Sequence, residues 1–253
     1  MKISRAMGLQ EREIISLVGG GGKTTLMFRL AGELALQKKV IITTTTKIYR
    51  PSPDKYPLLL LGRDEQKEKE KKELAGYLQS GLIPVVGSEL LQNKKVDGIT
   101  GGQLNMLAKY ADYILVEADG SKGRSLKGHL DFEPVIPALT TVLVVVIGAD
   151  VLGKTLDDEY VHRSYIVSQR TGRKEGSLID PEIIADLINH PEELLRDCPS
   201  GAKVVAFINK LDCLKNPAEG RRLGGLLLSE KIRKVLLGSA KGVNPVLDVL
   251  EYS

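Results

Sequence analysis

The sequence predicts a three-layer α/β fold, with a mostly parallel central sheet flanked by helices. Three observations carry that expectation. The apolar run Ile14-Ile15-Ser16-Leu17-Val18 stops at four consecutive glycines. Beyond the glycines, Leu26, Leu30 and Leu34 recur at four-residue spacing, the period of a helix with one apolar face. Val40 to Thr46 is then β-branched throughout and reads as a second buried strand. Strand, glycine turn, helix, strand is a βαβ unit, and such units build parallel sheets covered by helices.

Further elements follow along the chain. Alternating charges predict a solvated helix over Arg63 to Leu78. Strands are expected at Ile83–Val86, Tyr113–Glu117, Val142–Ile147 and Val204–Ile208. Helices are expected at Thr24–Lys38, Gln103–Lys109, Asp157–Ser168, Pro181–Ile188 and Arg221–Val235. Asp180 is placed to cap the helix that Pro181 begins. The alternation persists to the C-terminus, so residues 1–253 read as one α/β domain, with an inserted helical excursion at about 51–100.

Composition is that of an ordinary globular protein: 253 residues, 42% hydrophobic, 27% charged, formal net charge +4. Lys and Arg are spread along the chain, which argues against a nucleic-acid partner. Cys198 and Cys213 have neither the spacing nor the neighbours of a zinc site or a disulfide framework. Met1 to Glu13 is polar and charged, and the longest apolar run, Val142 to Ile147, is too short to span a bilayer. A cytoplasmic protein without a membrane partner is the expectation.

The chemistry concentrates at Gly19-Gly20-Gly21-Gly22-Lys23-Thr24-Thr25. The usual phosphate-loop spacing is G-x-x-x-x-G-K-[ST], and Leu17 stands where its first glycine would be, so a shorter G-x-x-G-K-T-T remains. Glycines let backbone N–H groups converge on phosphate oxygens at a helix N-terminus, whose dipole favours negative charge. Lys23 would reach the β- and γ-phosphates, the Thr24 hydroxyl would ligate Mg²⁺, and Thr25 would donate to the α-phosphate. Val18 stands where some dimeric P-loop ATPases carry an extra signature lysine, which disfavours that subclass.

Asn209-Lys210-Leu211-Asp212 follows a strand and resembles the guanine-specificity motif N-K-x-D of GTPases. Asp212 would accept from guanine N1–H and the exocyclic amine, Lys210 would lie across the purine face, and Asn209 would brace the loop and approach N7. Ser239-Ala240-Lys241, expected before a final helix, resembles the element whose backbone meets guanine O6. GTP is therefore preferred, with ATP left open. Between the two ends, Tyr113–Glu117 runs into Ala118-Asp119-Gly120-Ser121. Asp119 or Glu117 would hold Mg²⁺, the other orienting the attacking water, so the catalytic candidates are Lys23, Glu117 and Asp119 and the metal candidates Thr24 and Asp119. Thr43 to Lys47 lies near a switch position, although threonine is also a good strand residue. Lys122 to Pro137 reads as an irregular polar loop and a partner or substrate surface, His129 as a surface histidine, and His162-Arg163 as part of a helix with no assigned role.

Together these segments resemble the YqeC family of accessory proteins for selenium-dependent molybdenum hydroxylases. The resemblance rests on Gly19–Thr25, Thr43–Ile48 and Glu117–Ser121. It continues through Lys127, Glu133–Pro137, Gly148–Gly153, His162-Arg163 and Asn209–Asp212. It implies a P-loop fold and a role in maturing such a hydroxylase, with the hydroxylase or its cofactor-assembly proteins as partners. A slow Mg-dependent NTPase is the leading expectation. A small-molecule kinase or ligase and a non-hydrolysing nucleotide-gated chaperone remain as alternatives, and a homo-oligomer stays open.

Overall fold

The computed structural model describes residues 1–52, 54–62 and 67–253. The strands are β1 Glu13–Gly19, β2 Val40–Thr44, β3 Lys47–Tyr49, β4 Leu58–Leu60, β5 Val85–Gly87, β6 Lys95–Asp97 and β7 Tyr113–Glu117. They continue as β8 Leu126–Lys127, β9 Val142–Gly148, β10 Val161–His162, β11 Lys203–Asn209, β12 Ile232–Gly238 and β13 Val246–Glu251. The helices are α1 Ile3–Met7, α2 Lys23–Leu34, α3 Lys67–Gln79, α4 Gly101–Leu107, α5 Ser164–Thr171, α6 Pro181–Asn189 and α7 Pro217–Leu227.

Nine strands form one sheet in the order β13-β12-β11-β9-β1-β7-β2-β5-β4, with β12–β13 its antiparallel edge pair. This is the expected mostly parallel sheet. Successive side chains of a strand point to opposite faces, and β1 shows the consequence. Ile15 and Leu17 pack with α1 and α2 through Ile3, Leu26, Met27 and Leu30. Val18 packs on the other face with Ile183 and Leu187 of α6 and Leu223 of α7, and Ile14 there with Leu74 of α3 and Leu104 of α4. Burial on both faces explains why β1, β7 and β9 read as continuous apolar runs rather than alternating ones.

The segment 51–100 contributes β4 and β5 to the main sheet as well as α3, and β6 pairs with β3 in a separate two-stranded ladder. In α3 the side chain of Leu74 is buried, and buried Glu70 accepts from the Gly62 N–H at 2.7 Å. Residues 63–66 of the expected helix lie outside the described residues.

Three expectations need correction. The helix over Asp157–Ser168 starts only at Ser164, because Val161–His162 joins Leu126–Lys127 in a parallel ladder and Arg163 turns the chain with φ +62°. His162-Arg163 is therefore not helical. The helix over Arg221–Val235 runs instead from Pro217 to Leu227, with Asn216 as its cap, and Ile232–Gly238 is a strand buried from Val235 onward. The last element after Ser239-Ala240-Lys241 is β13, not a helix. By contrast, Asp180 caps α6 as expected, accepting from the Ile183 N–H at 2.8 Å. No described helix is long and apolar enough to cross a membrane.

Candidate functional site

In open α/β sheets ligands sit beyond the carboxyl ends of the strands. Here β1 delivers Gly19 to that edge, β7 delivers Glu117 and Asp119, β9 delivers Gly148, and β11 delivers Asn209.

The first three glycines are each held by a hydrogen bond from their own N–H. Gly19 N–H donates to Asp119 Oδ2 at 2.9 Å, Gly20 N–H to the Val146 carbonyl at 2.9 Å and Gly21 N–H to the Arg124 carbonyl at 2.9 Å. The N–H groups that open α2 have no partner within the helix and remain the natural anion donors. The first intrahelical bond is Leu26 N–H to the Gly22 carbonyl, so Lys23, Thr24 and Thr25 are that set. Gly21 shows why glycine is required. Its φ is +79°, and a Cβ there would lie 2.2 Å from Gly148 N. Gly21→Ala is expected to lower stability by about 2–4 kcal/mol, from overpacking plus left-handed backbone strain, as read by chemical denaturation.

Lys23 is 3% exposed and folds back, donating to the Gly19 carbonyl at 2.5 Å and pairing with Asp119 Oδ1 at 2.8 Å. Asp119 is fully buried at the centre of a charged cluster. Its Oδ2 meets His129 Nε2 at 2.7 Å, and Lys127 Nζ lies 3.9 Å away. Burial opposes the Asp119 charge, but Lys23, His129 and Lys127 outweigh it and hold the carboxyl well below its ordinary range. His129 is likewise fully buried, with Nδ1 2.6 Å from Glu193 Oε2. Burial disfavours its cationic form, yet the two flanking carboxylates raise its pKa on balance. Arg170 pairs with the other oxygen of Glu193. Lys127 is pushed down by burial against the pull of Asp119 and of Glu133, 3.0 Å away.

The carboxylate within reach of Thr24 is Glu117: the Thr24 hydroxyl donates to Glu117 Oε2 at 2.7 Å. Burial raises the Glu117 carboxyl, with Lys23 and Thr24 offsetting part of the effect. Thr43, Thr44 and Thr45 donate their hydroxyls to the Val86, Glu117 and Val135 carbonyls, so this run ties the sheet end together.

At the other end, Asn209 is buried and joins two segments. Its Nδ2 donates to the Gly21 carbonyl at 2.7 Å and its Oδ1 accepts from the Ala240 N–H at 2.8 Å. Lys210, at φ +63°, donates to Ser125 Oγ and Asp150 Oδ2, both at 2.8 Å. Asp212 is exposed in the turn Leu211–Cys213, Ser239 and Ala240 are buried, and Lys241 is exposed.

The Lys122–Pro137 segment is not uniformly irregular: it contains β8, and Lys127 and His129 are among its fully buried residues. His129 is thus no surface histidine. Its imidazole turns inward between the Asp119 and Glu193 carboxylates. Glu193 and Arg170, which complete the cluster, carried no local signal, since Glu193 lies 64 residues beyond His129.

Comparison with known proteins assigns the chain to a family. Residues 15–165 match the family model described as YqeC protein. The chain is 31% identical to the YqeC protein of Escherichia coli (strain K12) over 236 residues, 92% of this chain and 90% of that one. Among solved structures, the MinC:MinD cell division protein complex of Aquifex aeolicus aligns over 90% of this chain and 82% of that one, at 14% identity and TM-score 0.43. A GTPase from Pyrococcus abyssi aligns over 91% of each chain, at 17% identity and TM-score 0.35. Scores this low transfer neither site nor activity. The family match and the E. coli relative each cover more than half of the chain, and the protein belongs to the YqeC family.

Proposed function

We propose that the protein binds GTP at the Gly19–Thr25 loop and hydrolyses it slowly, as a maturation factor whose client state depends on the nucleotide. The observation that carries the reading is Asn209, whose side chain ties the phosphate loop at Gly21 to the Ser239-Ala240-Lys241 turn. That bridge supports a single nucleotide spanning the two turns. The Ala240 N–H is spent on Asn209, which leaves the next N–H, on Lys241, for guanine O6. The exposed Asp212 carboxylate is an acceptor for N1–H and the exocyclic amine, a donor pair that adenine does not present.

The triphosphate would take its hydrogen bonds from Lys23, Thr24 and Thr25 N–H. Lys23 would exchange the Gly19 carbonyl and Asp119 for phosphate oxygens, a short swing for a flexible four-carbon stem. Asp119, still held by Gly19 N–H and His129, then acts as the post from which Lys23 is released. The oxygen donors Thr24 and Glu117 suit Mg²⁺, a hard cation, and would hold it, Glu117 being one of the two carboxylates expected to do so. When bound, that ion neutralises charge on the β- and γ-phosphate oxygens. The remaining contribution is positional and electrostatic. Support for a selenium-dependent molybdenum hydroxylase as client comes from the family resemblance.

Asn209→Ala is expected to weaken GTP binding about tenfold, because one side chain braces both halves of the site and its loss leaves a buried carbonyl and N–H unpaired. Fluorescence titration with a labelled guanine nucleotide reads the change. An unchanged dissociation constant would separate the two ends and remove the single-site reading.

A further inference from the structure

A cavity of about 460 Å³ is lined by Lys122, Arg124, Asp158, Val161, His162, Arg163 and Tyr165. That size suits a small molecule rather than a macromolecule. Its charge is one-sided. Lys122, Arg124 and Arg163 bring three fixed cations, and Asp158 is the one carboxylate among the lining residues. Asp158 is already engaged, with Oδ1 accepting from Ser164 N–H and hydroxyl, both at 3.1 Å. Arg163 is fixed in the wall by Glu133 and the Gly128 carbonyl. Lys127 stands opposite His162 in the β8–β10 ladder and adds positive potential from behind.

His162 reports that potential. Burial first, then Arg163, Lys127 and Lys122, push its pKa down to about 4 against the pull of Glu133, so the ring itself adds no charge. Tyr165, half exposed, supplies an apolar wall. The cavity also touches the nucleotide site through one residue: the Arg124 side chain lines it while the Arg124 carbonyl receives the Gly21 N–H.

We propose that this cavity binds the phosphate group of a small molecule, the second ligand beside the nucleotide. The Lys122 ammonium and the Arg124 guanidinium, both on exposed side chains at this cavity, fit a phosphate's oxygens with charge-assisted hydrogen bonds. The proposal names a second ligand for the site read above as a GTP site, yet it stands on its own residues.

The test is NMR of the imidazole signals, which three histidines make assignable with a His162→Gln variant. Inorganic phosphate is titrated into the protein with and without saturating Mg²⁺ and GTP. The expected result is a saturable shift of the His162 signal under both conditions, weakened about fivefold or more in Lys122→Gln and restored in Lys122→Arg. A shift that vanishes when nucleotide saturates the protein would assign the phosphate to the Gly19–Thr25 loop and overturn the proposal. Undiminished affinity in Lys122→Gln would overturn it as well. Phosphate binding at His162 in a protein that binds no nucleotide would retire the GTP reading and keep this site.

Discussion

Replacing Lys23 with alanine is expected to lower GTP hydrolysis by about 10³-fold, the scale of losing one preorganised charge at a transferring phosphoryl group. Lys23 is 3% exposed and sits within 2.8 Å of Asp119, so its ammonium is a desolvated charge beside the phosphate loop. A desolvated charge acts far more strongly on developing charge than one in water. Lys23→Arg is expected not to restore the rate, because a planar guanidinium does not fit a pocket shaped around a single ammonium. Phosphate release at saturating nucleotide measures the effect. Wild-type turnover in Lys23→Ala, with the protein folded, would remove Lys23 from the chemistry.

His129→Leu is expected to cost about 3–5 kcal/mol of stability, the range for breaking a buried ion pair by removing one partner. For a chain of this size that lowers the melting temperature by roughly 10 °C. The imidazole lies between Asp119 and Glu193, and leucine leaves two buried carboxylates facing each other across an apolar side chain. The cost depends on pH in a defined way. The folded pKa of His129 is raised above its ordinary 6.5, so its stabilisation is fully present below that value and is lost as pH rises through the folded one. The folded pKa of Asp119 is depressed below its ordinary 3.8, so its stabilisation is present above that value and is lost as pH falls through the folded one. The gap between wild type and variant is therefore widest between those two ordinary values and narrows on the alkaline side. Denaturation curves across pH 4 to 9 test it, and a gap that widens with rising pH would contradict the charged pairing.

Local chemistry made much of this molecule legible. The buried strands announced themselves because a parallel strand covered on both faces needs apolar residues at every position, as in Val142–Gly148. The glycine run announced a close-packed turn, because no other residue tolerates backbone packed as closely as Gly148 packs on Gly21. The misreadings fall where long-range pairing overrides local pattern. Val161–His162 follows the acidic run Asp157-Asp158-Glu159, which suits a helix start, but Leu126–Lys127 pulls it into a ladder. Ile232–Val235 continues the apolar spacing of α7, yet that same run also satisfies a buried strand. The site divided in the same way. Lys23, Thr24 and Asn209 lie in motifs that a local window contains. His129, Glu193 and Arg170 act only because the fold brings Asp119 to them, and a lone histidine in a polar segment carries no mark of that.

The central claim is that one guanine nucleotide spans Gly19–Thr25 and Asn209–Asp212. The most direct test is calorimetric titration of GTP and of ATP, each with Mg²⁺, into wild type and Asp212→Ala. The account predicts that wild type prefers GTP by tenfold or more, and that the variant loses this preference by weakening GTP alone, about 1–3 kcal/mol for a lost bidentate base contact. Preference for ATP, or a GTP affinity that Asp212→Ala leaves unchanged, would contradict it.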